Sequence, residues 1–358
     1  MTKEQWQTQL YWLYERANPA LRLWAAQRLG LPEAAQESCR ADLLVHPAAQ
    51  YWLGKLLDMP NLPRRQGTLH GSFDYCLENC SAMAAQLGLR EDDHPALRAV
   101  DDGLLGILAE NQAQPGLLNP VEAGILAGHL LAMGRREKPI LHAVLQRLQD
   151  GAALAHQGNF DIHVDPAGYP TIPAARRCHP LVDPALTDGN RYRFPLVQDL
   201  AILSRLPQDV RVQPDVQEQI DAYIRCILTE GYQRLPWGYG LMLWPPRTYY
   251  GIGWSLHVPG FLDDNFTAPT LWWAVMLSPF AAARRSPWFA RALAHLESFG
   301  KEGVYHFPAA YAAEQTDKYA VGGGHMGLGE DRRGRKAQAI TATAWMLRLY
   351  ENAPEFLL

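Results

Sequence analysis

Asp263 and Asp264 stand side by side at the end of the most aromatic stretch of the chain, GYQRLPWGYGLMLWPPRTYYGIGWSLHVPGFLDDN, residues 231–265. Paired carboxylates matter because one can stay protonated as an acid while its neighbour remains charged. An acid placed there could protonate an alkene or a glycosidic oxygen, with nearby rings stabilising a cation or stacking on a sugar. Two histidines offer proton transfer near neutrality: His257, set among Trp254, Pro259 and Phe261, and His325, which follows Gly322-Gly323-Gly324. Tyr249, Tyr250 and Glu330 could orient or assist one of them. Trp254, Trp237 and Tyr169 could line a substrate, and Arg176 could guide an anionic head group. Plainer readings compete with each of these. Adjacent aspartates also cap helices, with Asp264 or Asn265 starting the next one. Loop histidines often serve a structural hydrogen bond, and Arg176-Arg177 and Arg332-Arg333 read as solvated faces.

Other constellations carry less. His163, Asp165, Cys178, His179 and Asp183 supply metal-binding atoms within residues 156–190 but form no tight Cys-x-x-Cys-type pair. No cofactor is therefore predicted, with zinc and magnesium kept only as alternatives. Cys76 and Cys80 share a helix face and read as small buried hydrophobes. Asp101 and Asp102 lie mid-helix, where at most one can face inward. No nucleophile elbow, phosphate-binding glycine loop or zincin motif is present.

These residues must be held by helices. X-Pro pairs at Asn18-Pro19, His46-Pro47, His94-Pro95, Lys138-Pro139, Gln213-Pro214 and Ser286-Pro287 each precede apolar residues at helical spacing. Proline suits the first helical position, where its missing N–H has no partner to lose. Asn119-Pro120-Val121-Glu122 adds a capping box. Gly124 and Gly128, four residues apart, favour a close helix crossing over a ligand-facing wall. The middle intervals between prolines match helical hairpins of about 35 to 45 residues, and the last two are longer. The expectation is an all-α chain, an (α/α) toroid of about five to six hairpins forming one domain over residues 1–358. Residues 1–45 would be atypical capping helices. Insertions at about 156–190, 231–265 and 300–335 each fall between an outer and an inner helix, and so should gather at one mouth.

Composition sets limits. Among 358 residues the net charge is -4, which argues against a nucleic-acid or anionic-membrane partner. The N-terminal MTKEQWQTQLYWLYERA carries acid and lacks a continuous apolar core, so it is no signal peptide. The most apolar run, residues 268–283, is broken by Pro269 and Pro279 and is too short to span a bilayer. No integral membrane segment is expected. Five cysteines without a secretory signal suggest free thiols and a cytoplasmic location. Eleven tryptophans and 15 tyrosines suit an aromatic-lined cavity or the filling of a large helical interior.

The hairpin repeats and the segment NPALRLWAAQRLG at residues 18–30 resemble the squalene-cyclase and protein-prenyltransferase superfamily of α/α toroids. The resemblance rests on repeat pattern alone. It implies a toroid and, for the cyclases, an aspartate-rich acid motif that protonates an isoprenoid. Neither Asp263-Asp264 nor Asp101-Asp102 completes the Asp-x-Asp-Asp pattern, and the Gln/Trp repeat of those cyclases is absent. A prenyltransferase would need an Asp/Cys/His zinc site and a partner subunit, and Cys178-His179 with Asp183 lack that context. The function expected is acid/base chemistry on a bulky, partly apolar, isoprenoid-like substrate. Asp263 and Asp264 would be the acid, and His257 or His325 the base. The alternatives are a carbohydrate-active lyase, hydrolase or epimerase, and a non-catalytic ligand-binding or protein-interaction scaffold.

Overall fold

The computed structural model describes residues 1–59, 69–244, 248–315, 318–331 and 333–357. Helices α1 (Lys3–Arg16), α2 (Pro19–Arg28), α3 (Glu33–Leu44) and α4 (Pro47–Asp58) come first. Next are α5 (Leu77–Leu87), α6 (Pro95–Ala113), α7 (Pro120–Ala132) and α8 (Lys138–Gln157). The C-terminal half holds α9 (Val197–Ser204), α10 (Gln208–Arg211), α11 (Pro214–Ile227) and α12 (Glu230–Gln233). It ends with α13 (Thr270–Leu277), α14 (Ala281–Arg284), α15 (Pro287–Glu297) and α16 (Arg335–Asn352).

All six X-Pro pairs open helices, although α8 begins at Lys138, one residue before its proline. Asn119 caps α7 by accepting from the N–H groups of Val121 and Glu122, while the Glu122 carboxylate accepts from Asn119 N at 3.0 Å. Such caps contribute about 1 kcal/mol each by satisfying donors that the helix cannot.

Consecutive helices pack as hairpins, including α4 with α5, α6 with α7, and α7 with α8. A row α4, α6, α8, α11 runs beside a second row α5, α7, α9, α13, α16, with each member touching the next. At the chain ends α1 packs on α16, and Trp6 Nε1 donates to Leu347 O. A hydrophobic cluster extends from Leu10 to Tyr350. The glycines of α7 serve the crossing with α9. A Cβ on Gly128 would stand 2.9 Å from Ile202 Cγ1, and one on Gly124 3.1 Å from Ile202 Cδ1.

Two parts depart from the sequence reading. Residues 1–45 are expected to be atypical capping helices with no convincing inner partner between Gly30 and His46, yet α3 fills that space and packs along α2. Its sequence EAAQESCRADLL buries only Cys39 and Leu43, too few apolar positions to show a period. The insertions also contain strands. β1 (His163–Val164), β2 (Leu181–Val182), β3 (Gly240–Trp244) and β4 (Thr248–Ile252) form one sheet in that order, with β2 and β3 parallel. The first two insertions are thus joined, over a small core of Ile172, Leu181, Leu241 and Tyr249. Gly240, at φ +107°, makes the docking feasible, because a Cβ there would fall 2.3 Å from Pro180 O. The third insertion carries the hairpin β5 (Gly300–Lys301) and β6 (Val304–Tyr305). Among the described residues no helix is long and apolar enough to cross a membrane.

A buried ion pair fixes how the first insertion enters α9. Arg147 of α8 donates from Nε to Asp199 Oδ1 at 2.9 Å, and its other nitrogens donate to Tyr192 O and Phe194 O. Asp199 also accepts from Leu196 N at 2.9 Å and Tyr223 Oη at 3.0 Å. Burial pushes the Asp199 carboxyl up, against the pull of Arg147 and these hydrogen bonds.

Candidate functional site

A cluster of buried polar residues lies at the start of α5. Glu78 and Asn79, in its first turn, are 4% and 0% exposed. A carboxylate is favoured there by the positive end of the helix, and both side chains are held by segments distant in the chain. Asn79 Nδ2 donates to Phe73 O at 3.0 Å and to Lys318 O at 3.3 Å, and Asn79 Oδ1 accepts from Ala320 N at 2.8 Å. It therefore stitches the loop before α5 to the third insertion. Glu78 Oε1 accepts from Gln198 Nε2, in the first turn of α9, at 3.2 Å.

The other oxygen of Glu78 holds a histidine. His70 Nδ1–H donates to Glu78 Oε2 at 2.6 Å, and Trp254 Nε1–H donates to His70 Nε2 at 3.3 Å. An indole nitrogen only donates and a carboxylate only accepts, so the two partners fix one neutral tautomer with the lone pair on Nε2. The rings close around it. His70 stacks on Tyr319 with centroids 5.4 Å apart, meets Trp254 edge-on at 5.9 Å, and Trp254 stacks on Tyr192 at 5.7 Å. Tyr319 is 41% exposed. Burial raises its phenol pKa, with Glu78 and Cys76 adding to the effect. Trp254 and Tyr319 come from the second and third insertions and Tyr192 from the segment that leads from the first insertion into α9, so three distant stretches meet in one cluster.

This arrangement is a base held in one orientation by a carboxylate. Glu78 would stabilise the imidazolium that forms when Nε2 takes a proton. The 3.3 Å contact to Trp254 is the weaker of the two, so Nε2 is the nitrogen open to exchange partners.

The residues expected from sequence are placed elsewhere, except Trp254. Asp263 and Asp264 lie on an exposed turn: Asp263 accepts from Asn265 N at 3.1 Å, and Asp264, at φ +55°, pairs with Arg291 at 2.5 Å. No described hydrogen bond joins either aspartate to His257 or His325. Both nitrogens of His257 are engaged, with Ser255 Oγ at 2.8 Å and Leu235 O at 2.9 Å, and burial lowers its pKa. His325, 6% exposed, spans Glu314 Oε1 at 2.6 Å and Lys318 O at 3.0 Å. Burial works against its charge, but the hydrogen bond to Glu314 leads the effects that raise its pKa overall. Tyr249 is buried, with its hydroxyl 2.7 Å from Thr171 Oγ1, and Tyr169 packs in the same small core. Arg176 donates to Tyr249 O, while Trp237 and Tyr250 are exposed. Glu330 accepts from Asn18 N at 2.6 Å, tying the third insertion to the start of α2, and burial raises its pKa.

Of the mid-helix pair, Asp101 faces inward to His129 Nε2 at 2.9 Å, and Asp102 faces outward to Arg135. Cys76 and Cys80 are both buried, and burial pushes the Cys80 thiol up to about 12. In the first insertion, His163 donates to Tyr239 O at 2.8 Å, while Asp165 and Asp183 cap short turns. Among the described residues no three His, Cys, Asp or Glu side chains gather as a metal site. Arg332 lies outside the described residues.

Sequence reading passed over His70, Glu78, Gln198 and Tyr319. A usable signal was the run Glu78, Asn79, Ser81, which interrupts an otherwise apolar helix shortly after a histidine. Comparison with known proteins finds no matching family model, no matching curated protein and no matching solved structure.

Proposed function

We propose that the chain is an enzyme that moves protons at His70 Nε2, with Glu78 orienting the imidazole, on a hydroxyl-rich, carbohydrate-like substrate. The observation that carries this reading is the 2.6 Å contact between His70 Nδ1 and a carboxylate that is almost wholly buried. Tyr319 and Trp254 give flat faces for a sugar ring, and Tyr319 offers a phenol as a proton donor. Gln198 supplies an amide beside the dyad. Among the described residues the cluster holds one carboxylate, already engaged by His70 and Gln198. Glycoside hydrolysis needs two working carboxyl groups, so abstraction of a carbon-bound proton, as in a lyase or epimerase, fits better. An isoprenoid cyclase would need an acid kept protonated away from water, and Asp263 and Asp264 face solvent.

In this reading the two helix rows are the outer and inner walls of one (α/α) toroid, a single domain closed where α1 meets α16, with the insertions at its mouth. The likeness to squalene cyclases and prenyltransferases then extends to architecture and not to chemistry.

The test is incubation of the protein in D2O with a panel of aldoses, ketoses and uronates, followed by mass spectrometry. Wild type is expected to exchange or eliminate a carbon-bound proton in at least one of them. His70→Asn should lose this and Asp264→Asn keep it. Activity that survives His70→Asn but not Asp264→Asn would return the assignment to the aspartates. Inertness towards the whole panel would remove the carbohydrate reading.

A further inference from the structure

A cavity of about 470 Å³ lies between α2 and α13 and the C-terminal halves of α5, α9 and α16, away from the first turns of α5 and α9 that hold the Glu78 cluster. Its volume is in the range that small organic ligands occupy. Trp24, Trp272 and Trp345 supply flat apolar walls. The charged lining residues are Arg28, Arg205, Arg348 and Glu351. Glu351 is taken, by Arg28 and by Trp24 Nε1. Among the described residues neither Arg205 nor Arg348 has a carboxylate partner.

Both guanidiniums do structural work, but only with part of their hydrogen-bonding capacity. Arg205 Nη1 donates to Gly128 O, within α7, at 3.1 Å and Arg348 Nη2 to Gln86 O, in the last turn of α5, at 2.9 Å. Arg348 also lies 5.4 Å from the ring centroids of both Trp24 and Trp345. A guanidinium carries five donors, so most remain unused. Arg348 Nε and both amide atoms of Gln86 are buried without a partner. Leaving such atoms unsatisfied costs about 1–3 kcal/mol each, which a bound polar group would recover. Burial pushes both guanidiniums down to about 10; Arg205 has burial alone, while at Arg348 the nearby Glu351 acts against it and Arg28 adds to it.

We propose that this cavity binds a small organic anion, with an oxyanion head on Arg205, Arg348 and Gln86 and a flat apolar body against Trp272 and Trp345. Recognition is by charge-assisted hydrogen bonds from planar forks, which suit a carboxylate or a phosphate ester. Neither His70, Glu78, Trp254 nor Tyr319 lines this cavity, although Ala320 in its wall follows Tyr319, and the proposal does not rest on the chemistry assigned to His70.

The experiment is titration calorimetry of the full chain with 2-naphthoate, 2-naphthyl phosphate and neutral 2-naphthol. At least one anion is expected to bind with Kd below about 1 mM, and 2-naphthol at least about tenfold more weakly. The anion that binds better identifies the head group. Arg205→Gln should weaken that anion by about tenfold or more. Ala201→Trp, which fills the cavity without altering charge, should abolish binding and guards against a folding defect in the arginine variant. Failure of both anions to bind, equal binding of 2-naphthol, or unchanged affinity in both variants would overturn the proposal.

Discussion

Replacing Arg147 with methionine tests how the scaffold holds its loops. The side chain is 5% exposed and bonded to one carboxylate and two carbonyls, those of Asp199, Tyr192 and Phe194. Methionine fills much of the volume but leaves Asp199 buried without its cation. Breaking a buried pair from one side costs about 3–5 kcal/mol, and the freed carbonyls could add about 1–3 kcal/mol each if water does not reach them. Asp199 keeps the Leu196 N–H and the Tyr223 hydroxyl, so the low end of the range for the pair alone, about 3 kcal/mol, is the expectation at neutral pH. That is a large fraction of a typical domain's total stability of about 5–15 kcal/mol. Urea unfolding followed by circular dichroism reads it directly. The pH dependence supplies a second check. Without Arg147 the folded Asp199 carboxyl rises further, so the folded state binds the extra proton between the unfolded value, near 3.9, and the new folded one. Stability of Arg147→Met should therefore fall as pH rises through that window, more steeply than wild type. A loss under about 1 kcal/mol, or identical pH slopes, would refute the assignment of a charged buried pair.

Glu78→Gln should reduce any His70-dependent turnover by about 100-fold or more, because an amide can hold the opposite tautomer. Rates equal to wild type in the D2O assay would exclude Glu78 as the orienting group. Glu314→Gln should flatten the pH dependence of stability above pH 6.5. The raised His325 pKa contributes stability that is complete below the unfolded value and fades as pH climbs through the folded one. Parallel melting-temperature profiles for the two proteins from pH 6 to 9 would refute this. Two glycines make a paired control in urea melts. A Cβ at Gly151 would sit 2.5 Å from Cε2 of the anchored Tyr223 ring, so Gly151→Ala should cost about 1–3 kcal/mol. Gly103, with nothing within 4 Å, should gain up to about 1 kcal/mol as alanine.

Helix starts were legible in the sequence because proline and capping residues act locally: Asn18, Asn119 and Ser286 each bond to N–H groups within three residues. Helix α3 was not, since it buries two apolar residues and draws its place from packing along α2. The pairing between the first two insertions was hidden for a similar reason. β2 pairs across sequence with β3 through Leu181 and Leu241, a long-range contact that no local period announces. Residue types alone made Asp263-Asp264 conspicuous, but adjacency places two side chains on one turn without saying whether that turn faces water. Glu78 is conspicuous only once α5 is packed, when its exposure of 4% shows a carboxylate removed from solvent.

Such a carboxylate is costly unless its partners are fixed, and those partners come from segments far apart in the chain. His70 precedes α5, Gln198 opens α9, and Trp254 follows β4. The position of Gln198 and of Tyr192, which stacks on Trp254, depends on the entry to α9 that Arg147 and Asp199 clamp. Loosening that clamp should therefore misplace the dyad's neighbours before it unfolds the helices. In Arg147→Met, faster hydrogen exchange at residues 192–196 and 254 with α6 and α7 still protected would separate this coupling from general destabilisation. Uniform exchange across all helices would mean that the clamp serves the whole core rather than the site.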